Sequence, residues 1–531
     1  MRNLVSPLRG IESPFGSLVD FLKDYIANGI RPSGVLDFGR GVYVGKNGRV
    51  PDASEIVTFG TPGLALMTDS DGLLKWNPHN LLTYSEDFSN AAWSNPSGVQ
   101  PYLVEGVGPN GEAAYKVETG TGWSDINQYS GGTTGQTFTG DVYIKSVDGT
   151  AGTFRFYFSA LDFVTDLTIP EEWELISASK LLTSAGSFSI RNSSKDFYIL
   201  RAHLYRSDQG GMAPVPVGQR IAGSETYVPT TSAPVYHPRE NDYLYDAATS
   251  SYINNGLFLE SEARTQLLHT TNDLVTQSHT VTAVPHTLHF TGTGTVTLSG
   301  ASTDGPLVGT GTGNQNRVSL TFTPTAASLT LTVSGTVTDA QLEVGSTPSS
   351  YIPNLAASGI VTRAAQTAVI EPANNPLIVG GVMPAALSIG LKGKVTYADE
   401  GVVEEVVFVN WRAGVVDYIR DSISTLTTRT GESNFVQRDT GSGLDVVTSS
   451  TGYYSPGINV PFNIASRHGA TFINGAVDGT ALTANTTPTA LPDLVTSDFR
   501  IGPDFNGTIK LVRVWADDLT DEGIEDGSSN V

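Results

Sequence analysis

Apolar residues in this chain recur at every second position far more often than at helical spacing. Phe154, Phe156 and Phe158 alternate with Arg155 and Tyr157, which sets one side of that segment against a core and the other toward solvent. Similar pieces at 113–117, 137–145, 174–177 and 197–205 are separated by turn residues, the spacing of a jelly-roll sandwich. Further on, 287–290, 295–298, 317–322 and 328–333 alternate between Gly-Thr-Gly and Thr-Pro turns and predict a smaller sandwich. Near the end, 387–391, 403–410, 462–468, 471–473, 499–502 and 508–515 predict a third one. Helical spacing is strongest at 17–29. There Ser17 to Asp20 resembles a capping box, Leu18, Val19, Leu22, Tyr25 and Ile26 form one stripe, and Gly29 closes it.

Two stretches share their phrasing. Asn80-Leu81-Leu82-Thr83-Tyr84 opens the first, with Phe88 and Trp93 following, and Gln266-Leu267-Leu268-His269-Thr270-Thr271 opens the second. The first closes through Leu200-Arg201-Ala202-His203-Leu204-Tyr205 and later Thr226-Tyr227-Val228-Pro229. The second closes through Asp339-Ala340-Gln341-Leu342-Glu343 and then Ser350-Tyr351-Ile352-Pro353. Phrases matching in this order mark diverged duplicates. The expected layout is an N-terminal peptide and helix (1–34), a β-rich lead-in (35–79), a jelly roll (80–232) and a connector (233–264). A smaller sandwich (265–365) and a C-terminal sandwich (366–531) follow. The fold class is all-β: tandem sandwiches with a short N-terminal helix.

Composition agrees, with 57 Gly against 4 Met and only 16% charged residues in 531. A net charge of −22 opposes nucleic acid as a partner, since no basic cluster offers counterion release. The absence of cysteine removes disulfides, thiolate metal sites and cysteine nucleophiles together. No apolar run approaches bilayer length and the first ten residues lack a signal-peptide core, so membrane insertion is not expected.

No catalytic constellation stands out, and neither an enzyme activity nor a cofactor is expected. His286 and His289 follow a strand rhythm rather than the spacing of a helical zinc pair. Gly309 to Gly313 lacks the strand–helix unit of a dinucleotide loop. Asp69-Ser70-Asp71-Gly72 resembles half of a calcium loop but reads better as a hairpin turn. Glu171, Glu172 and Glu174 beside Trp173 are the densest acidic group, yet glycoside hydrolysis needs a second carboxylate placed opposite. Sugar binding asks for less: a flat aromatic face plus hydrogen-bonding side chains. Trp123, Tyr129, Trp411, Tyr453 and Tyr454 are candidates for the aromatic part, and Arg467, with His468, for a polar rim.

The 80–93 segment, Glu262-Ala263-Arg264-Thr265, the phrase from Asp339 to Gly345 with Tyr351-Ile352-Pro353, and Val361-Thr362-Arg363-Ala364-Ala365 resemble recurring modules of tailed-bacteriophage virion proteins. Those proteins are tail fibres, tailspikes or head fibres carrying carbohydrate-binding-module-like jelly rolls. The C-terminal part is similar to concanavalin-like or laminin-G-like sandwiches through 464–468, an Asn474-Gly475 hairpin and the 506–522 close. The resemblance implies a structural protein of the virion surface, held to other virion proteins by its N-terminus, trimeric, and turned toward host-cell glycans. Asn77-Pro78-His79 departs from the Glu-Ala-Arg phrase usual at that point, and the second copy lacks the Phe88 and Trp93 pair. A glycan depolymerase and a decoration protein without receptor role are the alternatives.

Overall fold

The computed structural model describes residues 22–529, apart from 61–62, 96–99, 120–123, 130, 193–194, 221–223, 402–403 and 441–442. It is nearly all β, organised as three sandwiches.

In the first, a four-stranded sheet runs in the order Ser124–Tyr129, Gly186–Asn192, Gly152–Ser159, Phe163–Ile169. It faces a five-stranded sheet ordered Glu174–Leu181, Thr137–Ser146, Phe197–Arg206, Ala114–Val117, Tyr102–Val104. The Phe154/Phe156/Phe158 alternation puts all three rings inside, where Phe188 joins them with ring centroids 5.1–6.2 Å apart. Trp93 and Phe88 are fully buried 5.0 Å apart, and the Trp93 indole N–H donates to the Tyr84 carbonyl at 2.9 Å. The opening phrase is therefore a packing anchor.

The second sandwich repeats the first with two strands fewer. Its sheets run Gln277–Thr280, Ser328–Ser334, Thr295–Gly300, Leu307–Val308 and Val318–Phe322, His286–Gly292, Val337–Val344. Duplication is written in the hydrogen bonds. The Asn80 amide donates to the carbonyls of Ala202 and Val228 and accepts from the N–H groups of Leu82 and Leu204. Gln266 does the same with Ala340, Ile352, Leu268 and Leu342. Ser85 meets the Tyr227 hydroxyl at 2.8 Å and Thr271 meets that of Tyr351 at 2.6 Å. Even the left-handed residues coincide, Tyr84 and Arg201 with Thr270 and Asp339.

The third sandwich departs from the expected linear layout. Its larger sheet is built on Asn506–Trp515, Ala386–Tyr397, Gly457–Gly469 and Ile473–Val477, but the lead-in strands Gly34–Asp37, Val42–Gly45 and Gly48–Val50 extend it on one side. The connector hairpin Arg239–Asp246/Ser251–Glu260 also joins it, through Leu257 to Glu260 against Ile509 to Asn506. In the opposing sheet, Thr58–Gly60 pairs with Thr367–Ile370. Leu36, Phe38, Leu257 and Leu259 lie in one core with Ile389, Phe462 and Ile509. The lead-in up to Gly60 and the connector hairpin are thus parts of the C-terminal sandwich, where their apolar faces are completed, whereas Leu66 and Trp76 pack with Tyr351 in a separate cluster.

Asn474 and Gly475 lie inside the strand Ile473–Val477 rather than in a hairpin turn. The reversal falls at Asp478-Gly479, both with positive φ. The expected N-terminal helix begins outside the described residues; its described part is the 3-10 turn Leu22–Tyr25, and the chain reverses at Asn28-Gly29, again with positive φ. A helix at Thr520–Ser528 packs on the C-terminal sandwich through Leu519 and Ile524.

Candidate functional site

Strand alternation that buries the phenylalanines of the first sandwich presents the residues between them on the outer side of the four-stranded sheet. Register then fixes which of these are neighbours. Asp125 faces Arg191, and Arg191 faces Arg155, so three charges form one row across three strands. The next row is Asn127, Ser189, Tyr157 and Phe163.

Side chains lock this surface. Arg191 donates through Nε to Asp125 at 3.1 Å and through Nη2 to the same carboxylate, while Ser189 donates to its other oxygen. The Arg191 guanidinium lies 4.4 Å from the centre of the Tyr157 ring, and the Phe163 ring sits 5.1 Å from that of Tyr157. Phe163 is 40% exposed, and Arg155 is exposed with no ion-pair partner among the described residues. Two arginines directly opposite one another on a sheet repel. The arrangement offers a shelf of two aromatic rings beside a guanidinium free to bond a ligand's oxygens, the combination a sugar ring asks for.

The equivalent surface of the second sandwich carries none of this. Gln128 bonds the backbone of Thr83 as Gln277 bonds that of His269, which aligns the sheets. Register from there places Thr295, Thr297 and Ser334 where Arg155, Tyr157 and Arg191 stand.

The residues singled out from sequence meet different fates. Trp123 lies outside the described residues. Tyr129 ends the strand Ser124–Tyr129 at the edge of this same sheet, opposite Ser187. Trp411 is fully buried, with its indole N–H bonded to the Ser497 carbonyl at 3.0 Å, so both faces of its ring are taken by the core. Tyr454 is likewise buried; Tyr453, against it, is 38% exposed. Arg467 bonds Asp518 with two nitrogens at 2.8 Å and Asp521 at 2.7 Å, lies over Phe472, and thereby fastens the start of the C-terminal helix. His468 is buried inside the sandwich, which pushes its pKa down to about 3. Trp411, Tyr454 and Arg467 are accordingly structural, and the expected third-domain rim does not form around them.

Arg155, Tyr157, Phe163 and Arg191 escaped the sequence reading as a site. The alternation placed Arg155 and Tyr157 outward, but only cross-strand register reveals what they stand beside.

The other motifs settle as turns or strands. Asp69 and Asp71 both bind the Lys75 amine, at 2.6 and 2.7 Å, within a hairpin joining Leu66–Thr68 to Leu74–Trp76. His286 and His289 are buried in one strand, and no cluster among the described residues has the make-up of a metal site. Glu171, Glu172 and Glu174 are exposed at a sheet edge, with Glu172 paired to Lys145.

No family model and no curated protein matches the chain. Among solved structures, the chain is similar to botulinum neurotoxin type C, described by its dependence on two ganglioside molecules for cell entry. That match has 15% identity and a TM-score of 0.25, over 32% of this chain and 40% of the toxin's. It is similar also to the CBM40 of the Ruminococcus gnavus IT-sialidase bound to α2,3-sialyllactose, at 12% identity and a TM-score of 0.23, over 28% of this chain and 84% of that one. The leech intramolecular trans-sialidase matches at 15% identity and 0.23, over 28% and 24%. These scores are too low to carry a ligand or an activity across.

Proposed function

We propose that the protein is a non-catalytic structural component of a tailed-phage particle, held by its N-terminal region and presenting β-sandwiches to glycans on the host surface. The observation that carries the glycan part is the outer face of the first sandwich: the Tyr157–Phe163 pair flanked by Arg155 and the Arg191–Asp125 clasp. Its aromatic shelf suits the apolar side of a pyranose, and Arg155 suits ring hydroxyls or an acidic substituent. The phage part follows from the resemblance of the repeated phrases, and trimerisation with it. Weak sites repeated on a symmetric particle gain avidity without any new contact.

The test is binding of the full chain to an array of neutral and acidic oligosaccharides. Phe163→Ala and Arg155→Gln, both at exposed positions, are expected to weaken the bound signal about tenfold, worth about 1.4 kcal/mol. An array signal untouched by both variants overturns the assignment of this face. Particle adsorption to host cells after removal of the chain tests the phage setting separately.

One observation favours a second reading as a depolymerase. Glu262, Glu400, Glu404 and Asp504 line a cleft of about 580 Å³ beside Arg264 and Arg420. Burial, and then the neighbouring Glu404 carboxyl, raises the pKa of Glu400; burial also raises that of Asp504. Steady release of reducing ends from a polysaccharide, abolished by Glu404→Gln, is the result that this reading requires.

A further inference from the structure

A separate cleft of about 360 Å³ opens where the connector hairpin, the second sandwich and the C-terminal sandwich meet. That volume falls in the range of about 300–1,000 Å³ typical of small-ligand sites. We propose that this cleft is a second binding site, specific for a saccharide unit that bears a carboxylate.

Three walls supply three kinds of group. The hairpin contributes tyrosines: Tyr245 and Tyr252 are cross-strand partners with ring centroids 5.4 Å apart, and Tyr245 is exposed. The Tyr252 hydroxyl donates to the Gln315 amide oxygen at 2.5 Å, which ties the hairpin to the second sandwich across the cleft. Such rings, upright on a strand pair and held from behind, give a pyranose a surface to stack on.

The second sandwich contributes Arg317. Its guanidinium is held by Asn314 at 2.9 Å, the Asp339 carbonyl at 2.8 Å and the His289 ring at 3.0 Å, all uncharged acceptors once burial has kept His289 neutral. Nη2 has no hydrogen-bond partner, and no carboxylate pairs with the group among the described residues. The Asp339 carboxyl acts on this guanidinium from beyond ion-pair distance, and burial raises that carboxyl's pKa, so it compensates the cation only in part and an arriving anion would complete the compensation.

The C-terminal sandwich contributes Lys394, half-buried and likewise without an ion-pair partner among the described residues. Beside it on the paired strand, the Thr508 hydroxyl is buried with no hydrogen-bond partner. Two cations beyond ion-pair distance of any described carboxylate and an unsatisfied hydroxyl line one cleft. Its one acidic lining residue among those described, Asp242, accepts the Thr68 N–H, and burial raises its pKa to about 7, while the chain's net charge is −22. Most of this surface repels anions, and this cleft is built to take one.

Deletion of the other site keeps the test clean. In the Phe163→Ala/Arg155→Gln double variant of the full chain, methyl β-D-glucuronide and methyl β-D-glucoside serve as probes, read by saturation-transfer NMR and titration calorimetry. The glucuronide is expected to bind at one saturable site, at least tenfold tighter than the glucoside. Lys394→Gln is expected to erase that preference, and Tyr245→Ala to abolish binding of both probes with the unfolding midpoint unchanged. Absence of saturable glucuronide binding overturns the proposal, as does binding that both variants leave intact. Binding that appears only when Phe163 and Arg155 are restored assigns the sugar to the first sandwich and overturns it equally.

Discussion

The two duplicated sandwiches share a frame and differ in what they hang on it. Both are keyed by a buried amide, Asn80 in one and Gln266 in the other, with all four of its hydrogen bonds made to backbone. Inside, however, Phe156 and Phe188 of the first are replaced at equivalent register by Val296 and Leu331 of the second. Outside, Arg155, Tyr157 and Arg191 are replaced by Thr295, Thr297 and Ser334. Polar keys that satisfy the backbone are kept because losing one strands several buried groups at once. Core volume and surface chemistry drift as long as each copy stays filled and soluble. The lesson is that one copy carries an aromatic and charged outer face, while the other has become a wall of the cleft at the junction.

The interior difference gives the largest expected effect. Phe156→Ala should destabilise the first sandwich by about 4 kcal/mol, and Val296→Ala the second by about 2. Tryptophan emission reads the first, whose segment 80–232 holds Trp93, Trp123 and Trp173, and hydrogen exchange reads the second, which has no tryptophan. Equal losses would mean that the two cores are not the distinct fillings described.

Next come the shared keys. Asn80→Ala and Gln266→Ala should each cost about 3 kcal/mol through stranded backbone groups, and each only in its own sandwich. A denaturant midpoint for Trp93 that shifts with Asn80→Ala and stays put with Gln266→Ala supports the correspondence; the reverse breaks it.

Acid acts on the first copy next to its key. His79, one residue before the first key, donates from Nδ1 to the Asn77 carbonyl and accepts the Arg206 N–H on Nε2, and burial pushes its pKa down to about 3. Thr265 holds the corresponding place before Gln266. The unfolded chain takes up the proton below about pH 6.5 and the folded one only near 3, so stability contributed by neutral His79 is present above 6.5 and lost as pH falls toward 3. The slope should be about 1.4 kcal/mol per pH unit within that window. His79→Gln, whose amide oxygen can accept the Arg206 N–H, should flatten it in midpoints read from pH 7 to 4.

The smallest effect is on the surface. Thr297→Tyr in the second sandwich should leave its stability within about 0.5 kcal/mol and add no oligosaccharide binding, because Thr295 and Ser334 supply no guanidinium beside it. Array binding gained by that single change would show that the aromatic ring suffices alone.

Much of this was legible in the chain. Alternation at Phe154 to Phe158 and at Thr295 to Leu298 depends only on neighbours two residues apart, and the repeated phrases around Asn80 and Gln266 give the duplication away. The side chains picked as sugar ligands show the limit of such reading. Trp411 and Arg467 look the same in a sequence whether they face solvent, a core or Asp518.

Local pattern determined the class of fold, many of the turns and the two copies, since period-2 spacing and turn residues act within a few positions, whereas the Asn474-Gly475 pair sits inside a strand. Only the tertiary structure decided that Gly34–Asp37 and Ser251–Glu260 belong with Asn506–Trp515, that Arg155 stands opposite Arg191, and that Tyr245, Arg317 and Lys394 enclose one cleft. Each of those pairings joins segments whose apolar faces and hydrogen-bonding edges have many possible partners. The choice among them is made by which combination closes a core with its buried polar groups satisfied.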